Sequence, residues 1–206
     1  MKFLGKFALT ALLALSVSPV VSHAQDVSFE SEELKEQISP ETLNYILSQA
    51  EGDDITIHDV GESIPTMLPF GIFDSYTVSS KVFSHRSPLQ AELYASVAHG
   101  KTVTMTSKFE TTNTVDISGG VPVGAGNVVD ASFGTSMTRS IEKGVTLTGP
   151  PKGYSSRQYY MTRFKDYGNF VLTEKNTITG NTTKYNKSYS KPSSQDPFVD
   201  WSRDIK

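Results

Sequence analysis

From residue 102 to residue 148 nearly every odd position is apolar or small and nearly every even position is polar. In a first arm the odd set reads Val103, Met105, Ser107, Phe109, Thr111, Asn113, Val115 and Ile117; in a second it reads Val129, Ala131, Phe133, Thr135, Met137, Arg139 and Ile141. Period two over such lengths places alternate side chains on opposite faces of a strand. Between the arms, residues 118–127 run Ser-Gly-Gly-Val-Pro-Val-Gly-Ala-Gly-Asn. The glycines permit turning, and the proline excludes a central strand. The pattern predicts one long amphipathic hairpin over 102–148 with a Gly-rich tip.

Ser39-Pro40-Glu41 marks a helix start: a capping hydroxyl, proline at the first helical position and a carboxylate near the positive end of the dipole. Leu43, Ile46, Leu47 and Ala50 follow at helical spacing before Glu51-Gly52, which predicts a short amphipathic helix. Elsewhere the runs at 55–58, 76–82, 93–97, 157–165, 170–178 and 182–189 read as strands. They are separated by a Pro/Gly-rich connection at 64–71 and by turns at Gly100-Lys101, 166–169 and Gly180-Asn181. Phe198, Val199 and Trp201 would pin the C-terminus to the core. The predicted fold class is mainly β, with elongated antiparallel sheets or a sandwich, one long hairpin and a short N-terminal helix. Residues 25–38, polar and acidic, are expected to be flexible, and 39–206 to form a single β-rich domain.

The N-terminus adds a compartment. Lys2 and Lys6 precede an apolar run at 7–21, and Ser22-His23-Ala24 supplies small residues before Gln25. This is the layout of a secretory signal peptide over 1–24, so a secreted, extracellular protein is expected. The chain has no cysteine, and a disulfide-free exported fold suits a Gram-positive bacterium. Its formal charge of −3 hides a gradient: residues 25–80 hold twelve acids against Lys35, while 138–191 hold ten bases against Glu142, Asp166 and Glu174. A basic surface for an anionic partner, covered by an acidic N-terminal segment, is one reading; two ordinary solvated faces is the other.

Catalytic signatures are missing. His58, His85 and His99 have no His-x-x-x-His spacing, and no Gly-x-Ser-x-Gly elbow occurs. The glycines at 119–126 lack the strand-to-helix context and the lysine of a phosphate cradle. No catalytic residue, metal, cofactor or nucleic-acid partner is expected.

The runs Ser96-Val97-Ala98-His99-Gly100-Lys101-Thr102-Val103-Thr104-Met105, Ile117-Ser118-Gly119, Gly149-Pro150-Pro151-Lys152-Gly153-Tyr154 and Ser156-Arg157-Gln158-Tyr159-Tyr160 resemble a group of small exported Gram-positive proteins that includes large bacteriocin-like antimicrobials. The likeness spans roughly residues 90–175 and implies export and antagonism of other bacteria. More loosely, the Ser/Thr-rich hairpin with a Gly-rich tip is similar to the insertion hairpin of aerolysin-like β-pore-forming proteins.

Taking 109–117 and 129–137 as spanning arms gives a lipid side with no charge, led by Phe109, Val115, Ile117, Val129, Phe133 and Met137. The opposite side carries Glu110, Asp116 and Asp130 among Ser, Thr and Gly, as a pore lining. Arg139 falls on the apolar side and has to sit at the interface. The expected function is a secreted, membrane-active antimicrobial or toxin-like protein that inserts hairpins as a homo-oligomer into a target membrane or envelope. A sheet packed on a protein core shows the same alternation, which leaves a non-enzymatic extracellular or cell-envelope binding module as the alternative. In that case Tyr154, Arg157, Tyr159, Tyr160 and Arg163 would form an aromatic-basic surface.

Overall fold

The computed structural model describes residues 25–61 and 76–206. Residues 1–24, expected to be a signal peptide, and the expected connection at 64–71 lie outside the described residues. In chain order the elements are β1 (Val27–Phe29), α1 (Glu32–Gln37), α2 (Pro40–Gln49), β2 (Asp54–Val60), β3 (Tyr76–Pro88), β4 (Glu92–Ala98), β5 (Thr102–Thr104), β6 (Phe109–Asn113), β7 (Asp116–Ile117), α3 (Gly126–Phe133), β8 (Met137–Ile141), β9 (Thr146–Thr148), β10 (Ser156–Lys175), β11 (Thr182–Pro192) and β12 (Phe198–Ile205). At 52% strand and 14% helix the fold is mainly β, in mixed and antiparallel sheets.

β10 organises the molecule. It runs unbroken for 20 residues, with β4 and β12 flanking its first half and β3 and β11 its second, all antiparallel. β2 joins β12, β1 adds in parallel to β2, and β7 adds to β11, so eight strands share one sheet. The turn expected at 166–169 is therefore absent. Gly168 serves close approach instead: a Cβ there would lie 2.2 Å from Val82 O and 2.6 Å from Tyr189 Oη. Asp166 is buried and accepts from Ser193 Oγ, Ser194 N, Ser194 Oγ and Arg86 Nε, which satisfies a carboxylate inside a strand.

Two short helices close one end of the sheet. Ser39 accepts the Thr42 N–H at 3.3 Å, and α2 begins at Pro40. Leu34, Ile38, Ile46 and Ala50 pack on Ile55, Ile57, Phe164, Val199 and Trp201. Trp201 stacks on Tyr160 with ring centroids 4.8 Å apart and donates Nε1–H to Thr162 Oγ1 at 3.0 Å. Residues 27–37, expected to be flexible, carry β1 and α1, because Leu34 and Ile38 find this core and β1 finds a partner in β2.

Between β4 and β10 the chain makes an excursion from the sheet, touching it again only through the short strand β7. In this excursion the second arm is only partly strand: 126–133 forms α3, with Ala125, Val129 and Phe133 buried against Phe170, Leu172 and Tyr189. Those three residues stand at i, i+4 and i+8, a helical stripe, while Val129, Ala131 and Phe133 also alternate as a strand does. The same side chains satisfy both periods, and the core offered by β10 and β11 selects the helix.

Candidate functional site

The excursion at 102–148 is a ladder with one register. β5 pairs with β9 from Thr102↔Thr148 to Thr104↔Thr146, and β6 with β8 from Phe109↔Ile141 to Asn113↔Met137. Between them Met105 N donates to Val145 O at 2.9 Å. Each of these pairs joins residues equidistant from Ala125. Odd positions thus face odd positions, and the odd sets of the two arms share one face. Past Asn113↔Met137 the arms separate, although Val115 N still reaches Ser136 Oγ at 3.4 Å. β7 pairs with β11 while α3 lies on the other side of a cavity of about 500 Å³, lined by Val115, Ile117, Val121, Val129, Asp130 and Thr135. In the ladder's register Val115 would face Thr135, Ile117 would face Phe133, and Val121 would face Val129. The cavity takes the place of those rungs.

The base of the excursion is fixed to the body. A Cβ on Gly149 would lie 2.1 Å from Ala98 O, so the two crossing chains touch. Gly149 N donates to Lys101 O at 2.9 Å, and Tyr159 Oη donates to Thr148 O at 2.7 Å. Val97, Leu147 and Tyr159 form a small buried cluster there.

Further out, polar links to the body accompany the apolar packing of α3. Asn113 Nδ2 donates to Phe164 O at 2.9 Å, and Arg163 Nη1 donates to Thr112 O at 2.6 Å. Lys165 Nζ sits 2.5 Å from Asp116 Oδ2, and its hydrogen bond holds the Asp116 carboxyl below the usual range. Arg139 pairs with Asp59, and Lys187 Nζ donates to Ser118 O at 3.2 Å. Asn113 Oδ1 and Arg163 Nε are buried without a partner among the described residues. Leaving such an atom without a partner costs about 1–3 kcal/mol.

A polar cluster lies where β8 meets the body. Asp200 is 8% exposed. Burial pushes its carboxyl up to about 6, against the pull of the Tyr94 hydrogen bond and of His58 and Arg139. Tyr94 Oη donates to Asp200 Oδ1 at 2.8 Å, and burial with the neighbouring carboxylate raises the phenol. His58 stacks on Tyr159 and joins Ser202 Oγ through Nε2 at 2.8 Å and Glu30 through Nδ1 at 3.0 Å. The order Ser, His, Glu copies a hydrolytic relay. Ser202, however, is 1% exposed in the middle of β12, between β2 and β10, so its hydroxyl orients the imidazole and meets no substrate. This cluster left no trace in sequence spacing because its members come from five separate elements.

Phe109 is half-buried and stacks on Tyr94, with centroids 5.2 Å apart. Val115 and Ile117 flank the cavity, Val129 and Phe133 are buried on α3, and Met137 is half-buried opposite Asn113. Glu110 is exposed with Lys108 at 2.7 Å, and Asp130 is exposed on α3. The aromatic-basic set does not assemble into one surface. Tyr159 is buried, Arg157 holds Asp204 through two bonds of 2.6 and 2.7 Å, Arg163 holds Glu92, Tyr154 bonds Asp54, and Tyr160 lies against Trp201. Among the described residues no three His, Asp or Glu side chains gather as a metal site, and no helix is long and apolar enough to cross a membrane. Compared with protein-family models, with curated proteins and with solved structures, the chain has no match in any of the three.

Proposed function

We propose that this is an exported, membrane-active protein of antimicrobial or toxin-like kind, whose 102–148 segment leaves the body, zips to its tip and enters lipid as a β-hairpin, several copies closing a pore. The shared register of β5–β9 and β6–β8 carries this reading. Extended toward Ala125, it brings 113–121 opposite 129–137, nine residues on each arm, within the ~9–11 that a tilted spanning strand needs. The odd face of that band is Asn113, Val115, Ile117, Gly119, Val121, Val129, Ala131, Phe133, Thr135 and Met137, without a charge. The even face holds Asp116 and Asp130 among Ser, Thr and Gly. Arg139, paired with Thr111, falls just outside the band, at the interface, where its cost is small. The first spanning arm is thereby displaced toward the tip from 109–117.

Zipping requires α3 to unwind. Its eight residues are too few to be a stable helix alone, so the packing on Phe170 and Tyr189 sustains it. The binding-module alternative is less favoured, since Tyr159 is buried and Tyr154, Arg157, Tyr160 and Arg163, partly exposed, are each engaged by a neighbour in the fold.

A lock tests the reading. Ser118 N donates to Ser188 O at 2.9 Å, and Ser188 N to Ser118 Oγ at 2.8 Å, and the chain has no cysteine to interfere. The double variant S118C/S188C, oxidised, ties the tip to β11. Dye release from anionic liposomes should stop on oxidation and return on reduction. Equal release in both states would defeat the insertion reading.

A further inference from the structure

The body end opposite the fixed base presents two aliphatic fingertips. Val123 is 99% exposed at the tip of the excursion, and Ile178 is 94% exposed in the turn between β10 and β11. Tyr76 ties the two turns to one end of the molecule: its hydroxyl lies 3.3 Å from Val123 O and 3.1 Å from Glu174 Oε1, and Glu174 stands four residues before Ile178 on the same hairpin. Val121, also exposed, belongs to the first fingertip.

Both turns are held in shape. Asn176 Oδ1 accepts from Ile178 N at 2.9 Å and from Thr179 N at 3.0 Å, and Gly180 N donates to Asn176 O at 2.8 Å. Ala125 N donates to Pro122 O at 3.0 Å across the other tip. An ordered turn that offers a bare aliphatic side chain to water gains on transfer to an apolar phase without first losing conformational freedom. A lone exposed apolar residue needs no explanation; two at neighbouring tips, each almost wholly exposed, do.

The turns themselves carry no acid and have lysines beside them, with Glu174 and Asp130 as the nearby carboxylates. Residues 175–184 contain Lys175 and Lys184 and no acid, and 118–129 contain no acid. Lys175 pairs with Thr182 and Lys184 with Thr173 across the β10–β11 ladder, both exposed, and Lys187 reaches Ser118 O and Gly119 O beside the first tip. Glu174, the carboxylate at this end of β10, accepts from Tyr76 and Tyr185. Aliphatic tips ringed by lysines fit the interface of an anionic bilayer, where the side chains sink among the headgroups and the ammonium groups stay at the lipid phosphates.

We infer that this end is the docking surface by which the folded protein first settles on an anionic lipid surface, with Val121, Val123 and Ile178 as anchors and Lys175, Lys184 and Lys187 as the electrostatic ring. The inference rests on the membrane reading above but does not need the hairpin to insert. It also places the excursion's tip at the bilayer before α3 unwinds.

Flotation of the full chain with vesicles of phosphatidylglycerol and phosphatidylcholine tests it, with dye release followed in parallel. V123S and I178S should each weaken binding about tenfold, the scale of one aliphatic side chain returned to water. K175Q/K184Q should weaken it about tenfold or more at low salt and little at high salt. Single-tryptophan fluorescence confirms that each variant is folded. Full-strength flotation of the fingertip variants overturns the docking assignment, whatever happens to dye release. Flotation of the natural chain that depends on the tips but brings no dye release supports docking and counts against the pore. Tip-dependent binding to bacterial cells but not to any vesicle assigns the tips to a protein receptor and overturns the lipid assignment.

Discussion

β10 is laddered on both sides along its length, and apolar residues of its first half and of β2 and β12 pack with helices α1 and α2. The excursion at 102–148 is built from equally alternating sequence but has ladders of only three and five rungs. Beyond its base it is fastened by the apolar stripe of α3 on Phe170, Leu172 and Tyr189, by the two-residue pairing of β7 with β11, and by polar contacts of Asn113, Asp116, Arg139 and Ser118. Apolar burial accumulates with area and is hard to undo in part, whereas exposed ion pairs and single hydrogen bonds are worth little net and can be exchanged for water. The excursion, with shorter ladders and several exposed polar links, is thus expected to have lower local stability than the body, a division seen in native proteins.

The largest test of this division compares two buried aromatics. Trp201→Ala removes a side chain that is 1% exposed in the main core and should cost about 3–5 kcal/mol, a large part of the total stability of a domain. Circular dichroism in urea should show the entire transition moved or lost. Phe133→Ala removes a ring that is 4% exposed on α3, yet its effect should stay local. Amide exchange over 126–133 should rise by an order of magnitude or more while the urea midpoint read from Trp201, the single tryptophan, moves little. Equal shifts in both readouts would make body and excursion one cooperative unit.

The contrast explains what was legible in the sequence. Ser39-Pro40 announced a helix because capping and proline geometry are local chemistry. The mainly β class was likewise written in alternation. Gly168 misled, since a glycine demanded by the approach of Val82 and Tyr189 looks in sequence like one demanded by a turn. The α3 segment misled for a deeper reason: Val129 and Phe133 fit both periods, and the choice was made by Phe170 and Tyr189, distant in sequence. The proposed insertion draws on the same ambiguity. The Asp200 cluster depended wholly on long-range topology, with Glu30, His58, Tyr94 and Arg139 brought from four elements or their flanks.

Asp200 gives the second test, because it sits on the seam between the two regions. Its folded value of about 6 lies above the ordinary 3.8, so the folded state binds the proton more tightly. The resulting stabilisation is complete below 3.8 and lost as pH rises through 6. Going from pH 7.5 to pH 5 should therefore add about 1 to 1.5 kcal/mol, seen as a rise in urea midpoint. Asp116, held low by Lys165, has the opposite sign, but its contribution is lost only at more acidic pH. Asp200→Asn should flatten the profile between pH 5 and 7.5. An unchanged slope in that variant would move the effect to another group, and a slope of reversed sign would contradict the burial of the charged carboxylate.

Arg139 carries the smallest stability effect and the sharpest distinction. It pairs with Asp59 with both side chains about two-fifths exposed, at 41% and 37%, so the pair is worth at most about 1 kcal/mol. Arg139→Gln should leave the Trp201 urea midpoint nearly unchanged while raising amide exchange in β6 and β8. In lipid the same change removes the charge that borders the uncharged odd face, next to the rung Thr111↔Arg139. If the excursion detaches and inserts, the variant loses a latch and a barrier together, and dye release should quicken severalfold at unchanged vesicle binding. If the excursion is a permanent part of the fold, it loses one weak ion pair and gains nothing. A variant that is slightly less protected and no faster at release would therefore return 102–148 to the body, and a faster one would set it apart.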